Sequence, residues 1–145
     1  MLYTDLYQLT MAQAYWQHGT TAPATFSLFI RSYSSDRGYL VLAGIQNVIE
    51  YLDGFRYTKD DIDYLLSTGK FDAHFLGFLT DVRFTGDVRA MPEGSIFFAN
   101  EPVLEVTAPI IEAQVVETYI INQINLQTIL ATKAARVVHA ANGGT

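Results

Sequence analysis

One segment dominates the second half of this chain. Ile110 to about Ala141 reads as a single helical region, opened by Pro109 at the first-turn position that suits proline. Unbroken, it would run for about 48 Å. Glu112, Gln114, Glu117, Asn122 and Gln123 interrupt its apolar residues, so it is not a transmembrane span. The polar run Asn122 to Asn125 is the expected place for a bend or a break, and Asn142-Gly-Gly144 the expected end. Pro109 is also the only composition boundary in the chain, with strands before it and helix after it.

The remaining residues must form a domain with that helix. At 145 residues the chain is one ordinary domain long. Half of it is hydrophobic and 17% is charged, enough for a real core and too apolar for disorder. Nine Lys and Arg stand against fifteen Asp and Glu, and no basic patch stands out, so duplex nucleic acid is not the expected partner. The absence of cysteine excludes disulfides, thiolate catalysis and Cys-based zinc sites, and fits a reducing cytoplasm. The N-terminus has Asp5 where a signal peptide would need basic residues.

Read in order, Leu6 to Gln17 is a helix capped by Thr4 or Asp5 and stopped at Gly19. Tyr7, Met11, Ala14 and Tyr15 form its expected packing stripe. Thr25 to Ile30 is a strand with Phe26, Leu28 and Ile30 on one face. Ser32 to Gly38 is a polar loop. Tyr39 to Ala43 is a strand or a helix start, and Gly44 to Leu52 a helix with Ile45, Val48, Ile49 and Leu52 on one side. Thr58 to Asp61 is a capping-box variant that opens a short helix ended by Gly69. Asp72 opens another, to about Leu79. Val82 to Phe84, Asp87 to Ala90, Ser95 to Phe98 and Val103 to Thr107 read as strands joined by turns, an antiparallel meander. The class is mixed helix and sheet, α+β, without repeats.

The most chemically loaded pair is Asp5 and Tyr7, at the mouth of the first helix. With Asp5 in extended backbone the two side chains point the same way; with Asp5 helical they diverge. A carboxylate and a ring there can clamp a flat polar ligand. A helix cap plus a core tyrosine fits the same residues. His18, His74 and His139 form no ligand cluster, and the helix-end positions of His18 and His139 have a structural reason in the helix dipole. Glu93 sits in a tight turn, where a carboxylate is usually solvated. Glu112 and Glu117 lie five apart and do not share a face closely. Lys133 and Arg136 do share one; they suit a phosphate or carboxylate, or a solvated cationic patch. There is no Ser-His-Asp spacing, no Walker loop and no G-x-G-x-x-G.

The residue strings go further. Thr4-Asp-Leu-Tyr-Gln-Leu-Thr-Met-Ala12, Phe55-Arg56, Phe84-Thr-Gly-Asp-Val88, Met91-Pro-Glu-Gly-Ser95, Asn100-Glu-Pro102, Ile111-Glu-Ala-Gln114, Glu117-Thr118 and Ala131-Thr-Lys-Ala-Ala-Arg136 occur in this order. Together they closely resemble the N-terminal part of nicotinate phosphoribosyltransferase, over essentially the whole chain. After Arg136 the match weakens.

That resemblance implies a transferase that joins the ring nitrogen of nicotinate to the phosphoribosyl group of phosphoribosyl pyrophosphate. The product is nicotinate mononucleotide, on the salvage route to NAD. It implies coupling to ATP through a phosphorylated histidine, magnesium on the phosphates, and a homodimer with the active site at its interface. The implied fold is a type II phosphoribosyltransferase: an α/β sandwich domain, here 1–108, and a long helix, here 109–145, leading into an α/β barrel. The family's tyrosine that contacts the pyridine ring carries over to Tyr7, and its nearby aspartate to Asp5. A barrel alone needs roughly 250 residues, so both domains do not fit here. The expectation is a fragment, inactive by itself, with no catalytic residue and no metal ligand of its own. The other class is a free-standing regulatory or interaction module, which would need a polar outward face on the long helix. That helix is instead rich in Ile, Val and Leu on most sides. A relative acting on nicotinamide or quinolinate would be a substrate variant of the first class.

Overall fold

The computed structural model describes residues 2–33 and 37–142. Ten elements follow in order: α1 (Leu6–Gln17), β1 (Pro23–Leu28), β2 (Leu40–Val41), α2 (Ile45–Asp53), α3 (Lys59–Ser67), α4 (Ala73–Leu79), β3 (Asp87–Ala90), β4 (Ile96–Phe97), β5 (Leu104–Pro109) and α5 (Ile110–Ala141). The class is mixed helix and sheet, as expected. The middle of the polar loop, 34–36, and the glycines after Asn142 lie outside the described residues.

The strands do not form a meander. β1, β5 and β3 make one antiparallel sheet in that order, with Phe26 opposite Val106 and Val88 opposite the same Val106. β2 and β4 make a separate pair. β5 takes the centre because it alone buries alternate residues fully, Leu104, Val106 and Ala108. Its outer face is polar: Thr25 and Thr107 share a hydroxyl bond of 2.8 Å, and Ser27 donates to Glu105 at 3.0 Å. Val82 to Phe84 is no strand; Val82 instead closes the end of α4 through its N–H to Leu79.

α5 is one continuous helix of 32 residues, without the break expected at Asn122 to Asn125. Ile124, fully buried between those asparagines, holds the turn against the core. Val116, Ile120, Ile124, Thr128 and Thr132 form one buried row four residues apart. The two threonines cover the free edge of β2: Thr132 Oγ1 accepts from the Val41 N–H at 2.9 Å, and Thr128 Oγ1 from the Ala43 N–H at 3.2 Å. Gly44, with φ of 104°, brings the start of α2 against the Gln123 carbonyl, where a Cβ would stand 3.0 Å from the oxygen.

The capping signals hold. Thr58 and Asp61 make both bonds of the box at α3, and the Asp72 carboxylate accepts from the N–H groups of His74 and Phe75. Gly19 and Gly69 take the positive φ of helix stops. Among Ile45, Val48, Ile49 and Leu52, Ile49 is exposed and the other three are buried.

Candidate functional site

α1 packs along the first half of α5, and this fixes the chain's opening residues. The face that α1 turns inward is Gln8, Leu9 and Ala12, because Ala12 lets the helices approach closely. The expected stripe is therefore corrected: Tyr7 is 52% exposed, Met11 and Ala14 are exposed, and Tyr15 is half-buried. Apolar and aromatic residues surround this helix, so periodicity alone does not select its inner face.

Asp5 stands at the N-cap in extended backbone, the branch that points it the same way as Tyr7. Its carboxylate does not cap α1. It accepts instead from Thr118 Oγ1 on α5 at 3.0 Å. Gln8, fully buried, donates from Nε2 to the Tyr7 phenolic oxygen at 2.9 Å and to Glu117 Oε2 at 3.1 Å. Gln114 donates to the Gln8 carbonyl and to Glu117 at 3.2 Å. Partial burial pushes the Tyr7 phenol above its ordinary value; the charges of Glu117 and then Asp5 add to this, and the Gln8 N–H opposes it.

These residues border a groove of about 570 Å³ lined by Thr4, Asp5, Tyr7, Thr118, Asn122 and Asn125 among others. The Thr4 hydroxyl is buried there, without a hydrogen-bond partner among the described residues. A second cavity of about 500 Å³ lies between β1 and α5 and shares Ile121 and Asn125 with the groove. Glu117 lines it from α5, and Arg31 is the basic side chain on its wall. The groove thus offers a phenol ring, a carboxylate and amide groups at the meeting of α1 and α5, a setting that suits a flat polar ring.

The other candidates stand apart. Lys133 and Arg136 are exposed in the last third of α5 and line neither cavity. His18, His74 and His139 are exposed at helix ends. No three His, Cys, Asp or Glu among the described residues gather where they would hold a metal. Glu93 is not a merely solvated turn residue: its carboxylate accepts from the Gly44 N–H at 2.7 Å and the Gln46 N–H at 3.3 Å, capping α2 from another loop. Glu112 receives the N–H and hydroxyl of Thr85.

Gln8, Gln114, Thr118, Asn122 and Asn125 were not singled out by residue chemistry. Their signal is the polar line Gln114, Thr118, Asn122, Asn125, spaced four, four and three apart along one side of the helix. Asn122 to Asn125 reads as a breaker in isolation; in the fold it marks the groove.

Solved structures place this architecture. The crystal structure of human nicotinic acid phosphoribosyltransferase superposes with a TM-score of 0.82 at 34% identity, covering 92% of this chain and 27% of that one. The fold alone recurs, at 21% identity and a TM-score of 0.60, in nicotinate-nucleotide pyrophosphorylase from Pyrococcus furiosus. The architecture is that of the N-terminal portion of a phosphoribosyltransferase. Residues 2–125 match the nicotinate phosphoribosyltransferase (NAPRTase) N-terminal domain, and the chain belongs to that family. It is 52% identical over 142 residues to a nicotinate phosphoribosyltransferase of Mycobacterium tuberculosis, and 44% identical over 137 residues to that of Bacillus subtilis. It spans 31% and 28% of the length of those two proteins.

Proposed function

We propose that this chain serves a nicotinate phosphoribosyltransferase, as the sandwich segment 1–108 and the helix 109–145 that leads into a barrel. The reaction joins nicotinate to phosphoribosyl pyrophosphate. The pyridine nitrogen's lone pair forms the bond to the anomeric carbon, the carbon–oxygen bond breaks, and its electrons leave with pyrophosphate. The protein's task in such a step is orientation and charge stabilisation.

The observation that carries the reading is the pair Asp5 and Tyr7 on one groove, each tied to α5 by a hydrogen-bonded path. Tyr7 stacks on the ring. As the nitrogen becomes quaternary the ring turns positive, and the face of Tyr7 with the charges of Asp5 and Glu117 favours that form over neutral pyridine. The carboxylate of nicotinate needs a cation; among the described residues no basic side chain lines the groove, and Arg31 lies on the wall of the adjoining cavity.

Lys133 and Arg136 are proposed as phosphate contacts, ATP with magnesium as the coupled cofactors, the cytoplasm as the compartment and a homodimer with the site at its interface as the working form. Magnesium would ride on the substrate phosphates and neutralise their charge there. Leu126, Ile129, Leu130, Val137 and Val138 are exposed on α5. Such a surface suits a helix with a further domain against it better than the free-standing module.

The test is formation of nicotinate mononucleotide from the two substrates. A polypeptide of the relatives' full length carrying this chain turns over, and the purified 145-residue chain does not. No turnover by the longer protein overturns the function; turnover by the short chain overturns its dependence on the rest.

A further inference from the structure

Gln8 is a completely buried amide beside a half-exposed tyrosine. Burying an amide costs free energy unless its donors and its carbonyl are matched. Here they are: Nε2 faces Tyr7 and Glu117, and Oε1 accepts from Gln114. Tyr15 completes the set by donating its hydroxyl to the Gln114 carbonyl at 3.4 Å.

The carboxylate sets the polarity of this network. Glu117 can only accept, so both glutamines must turn their nitrogens toward it. Gln8 therefore presents an N–H, and not its carbonyl, to the Tyr7 oxygen. That oxygen accepts on the Gln8 side, and the phenol's own proton points elsewhere, available to an acceptor on a ligand.

We infer that Gln8 is a positioning residue: acting through Tyr7, it fixes the plane and direction of the phenol, so that the ring's face is held ready to stack on a flat aromatic ligand and the hydroxyl proton is left for an acceptor beside that ligand. The ligand part rests on the proposal that Tyr7 contacts nicotinate; the link between Gln8 and Tyr7 does not.

Gln8→Met keeps the length of the side chain and removes the amide. In the full-length protein, the Tyr7 ionisation is followed by NMR of labelled tyrosine, with Tyr7→Phe assigning the signal, beside the kinetics. Loss of the donated N–H moves the Tyr7 titration to higher pH, and the KM for nicotinate rises by about two- to tenfold, the worth of one neutral hydrogen bond. A lower melting temperature with titration and KM both unmoved would make Gln8 merely structural and overturn the inference. A shifted titration with unchanged KM keeps Gln8 as the holder of Tyr7 and overturns the nicotinate reading instead. If the variant does not fold, the unaltered protein decides: proton contacts between the Gln8 side-chain amide and the Tyr7 ring support the inference, and their absence overturns it.

Discussion

Thr118 Oγ1 donates to the Asp5 carboxylate at 3.0 Å, across 113 residues of chain. It also accepts from the Asp5 backbone N–H at 3.4 Å. This double contact pins the entry to α1 onto the first third of α5 and holds Asp5 at the groove. Thr118→Val keeps the shape and removes the hydroxyl. The expected cost is about 1 kcal/mol of stability, with faster amide exchange at residues 3 to 6 and a higher KM for nicotinate in the complete enzyme. Unchanged exchange there would show that the segment is held by something else.

Gly86 is where the chain comes alongside β5 to begin β3. A Cβ at this position would fall on the Thr107 carbonyl and on Ala108, backbone that cannot turn aside. Gly86→Ala should cost more than about 2 kcal/mol, the range of an overpacked core site. Gly54→Ala, where a Cβ would meet the Glu50 carbonyl at an ordinary 3.5 Å, is the control and should be near neutral. Thermal unfolding of the two variants checks this.

The edge of β2 predicts a second stability effect. Thr132 and Thr128 are buried and accept the backbone N–H groups of Val41 in β2 and of Ala43 two residues on. Thr132→Val leaves the Val41 N–H without its partner, at an expected cost of about 1–3 kcal/mol. Thr132→Ser should keep most of the stability, since the hydroxyl remains.

Two buried phenols give the pH dependence. Burial pushes Tyr51 and Tyr57 far above their ordinary value of 10.0, with Tyr119 and Asp61 adding to it at Tyr51, and Tyr51 and Asp61 at Tyr57. The folded state binds these protons more tightly than the unfolded chain does. The stability this gives is complete below pH 10 and is lost as pH rises beyond it. Alkaline titration should show these two ionising with unfolding, not before it, and Tyr51→Phe should flatten the loss. Ultraviolet absorbance of tyrosinate against circular dichroism checks the order of events.

Local signals were legible where one side chain answers its own backbone. The Thr58–Asp61 box, the Asp72 cap and the Gly19 and Gly69 stops need no partner from afar, and each stands where the residues indicate. What local reasoning could not supply was pairing across the chain. Asp5 has the composition of a cap, yet its carboxylate serves Thr118; Glu93 has the setting of a solvated turn, yet it caps α2. Strand order failed for the same reason, since only the burial of β5 on alternate residues puts it between β1 and β3. The Asp5 and Tyr7 pair was visible as a candidate, but its support from Gln8, Glu117 and Thr118 needs the packing of α1 on α5.

The central claim is that Tyr7 touches the nicotinate ring. The most direct measurement is the KM for nicotinate of Tyr7→Ala in the full-length transferase, beside its melting temperature. Truncation takes a partner from the buried Gln8 N–H and should cost about 1 kcal/mol of stability, while loss of the stacked ring should raise KM by on the order of tenfold or more. An unchanged KM in the folded variant would remove Tyr7 from the site and contradict this reading.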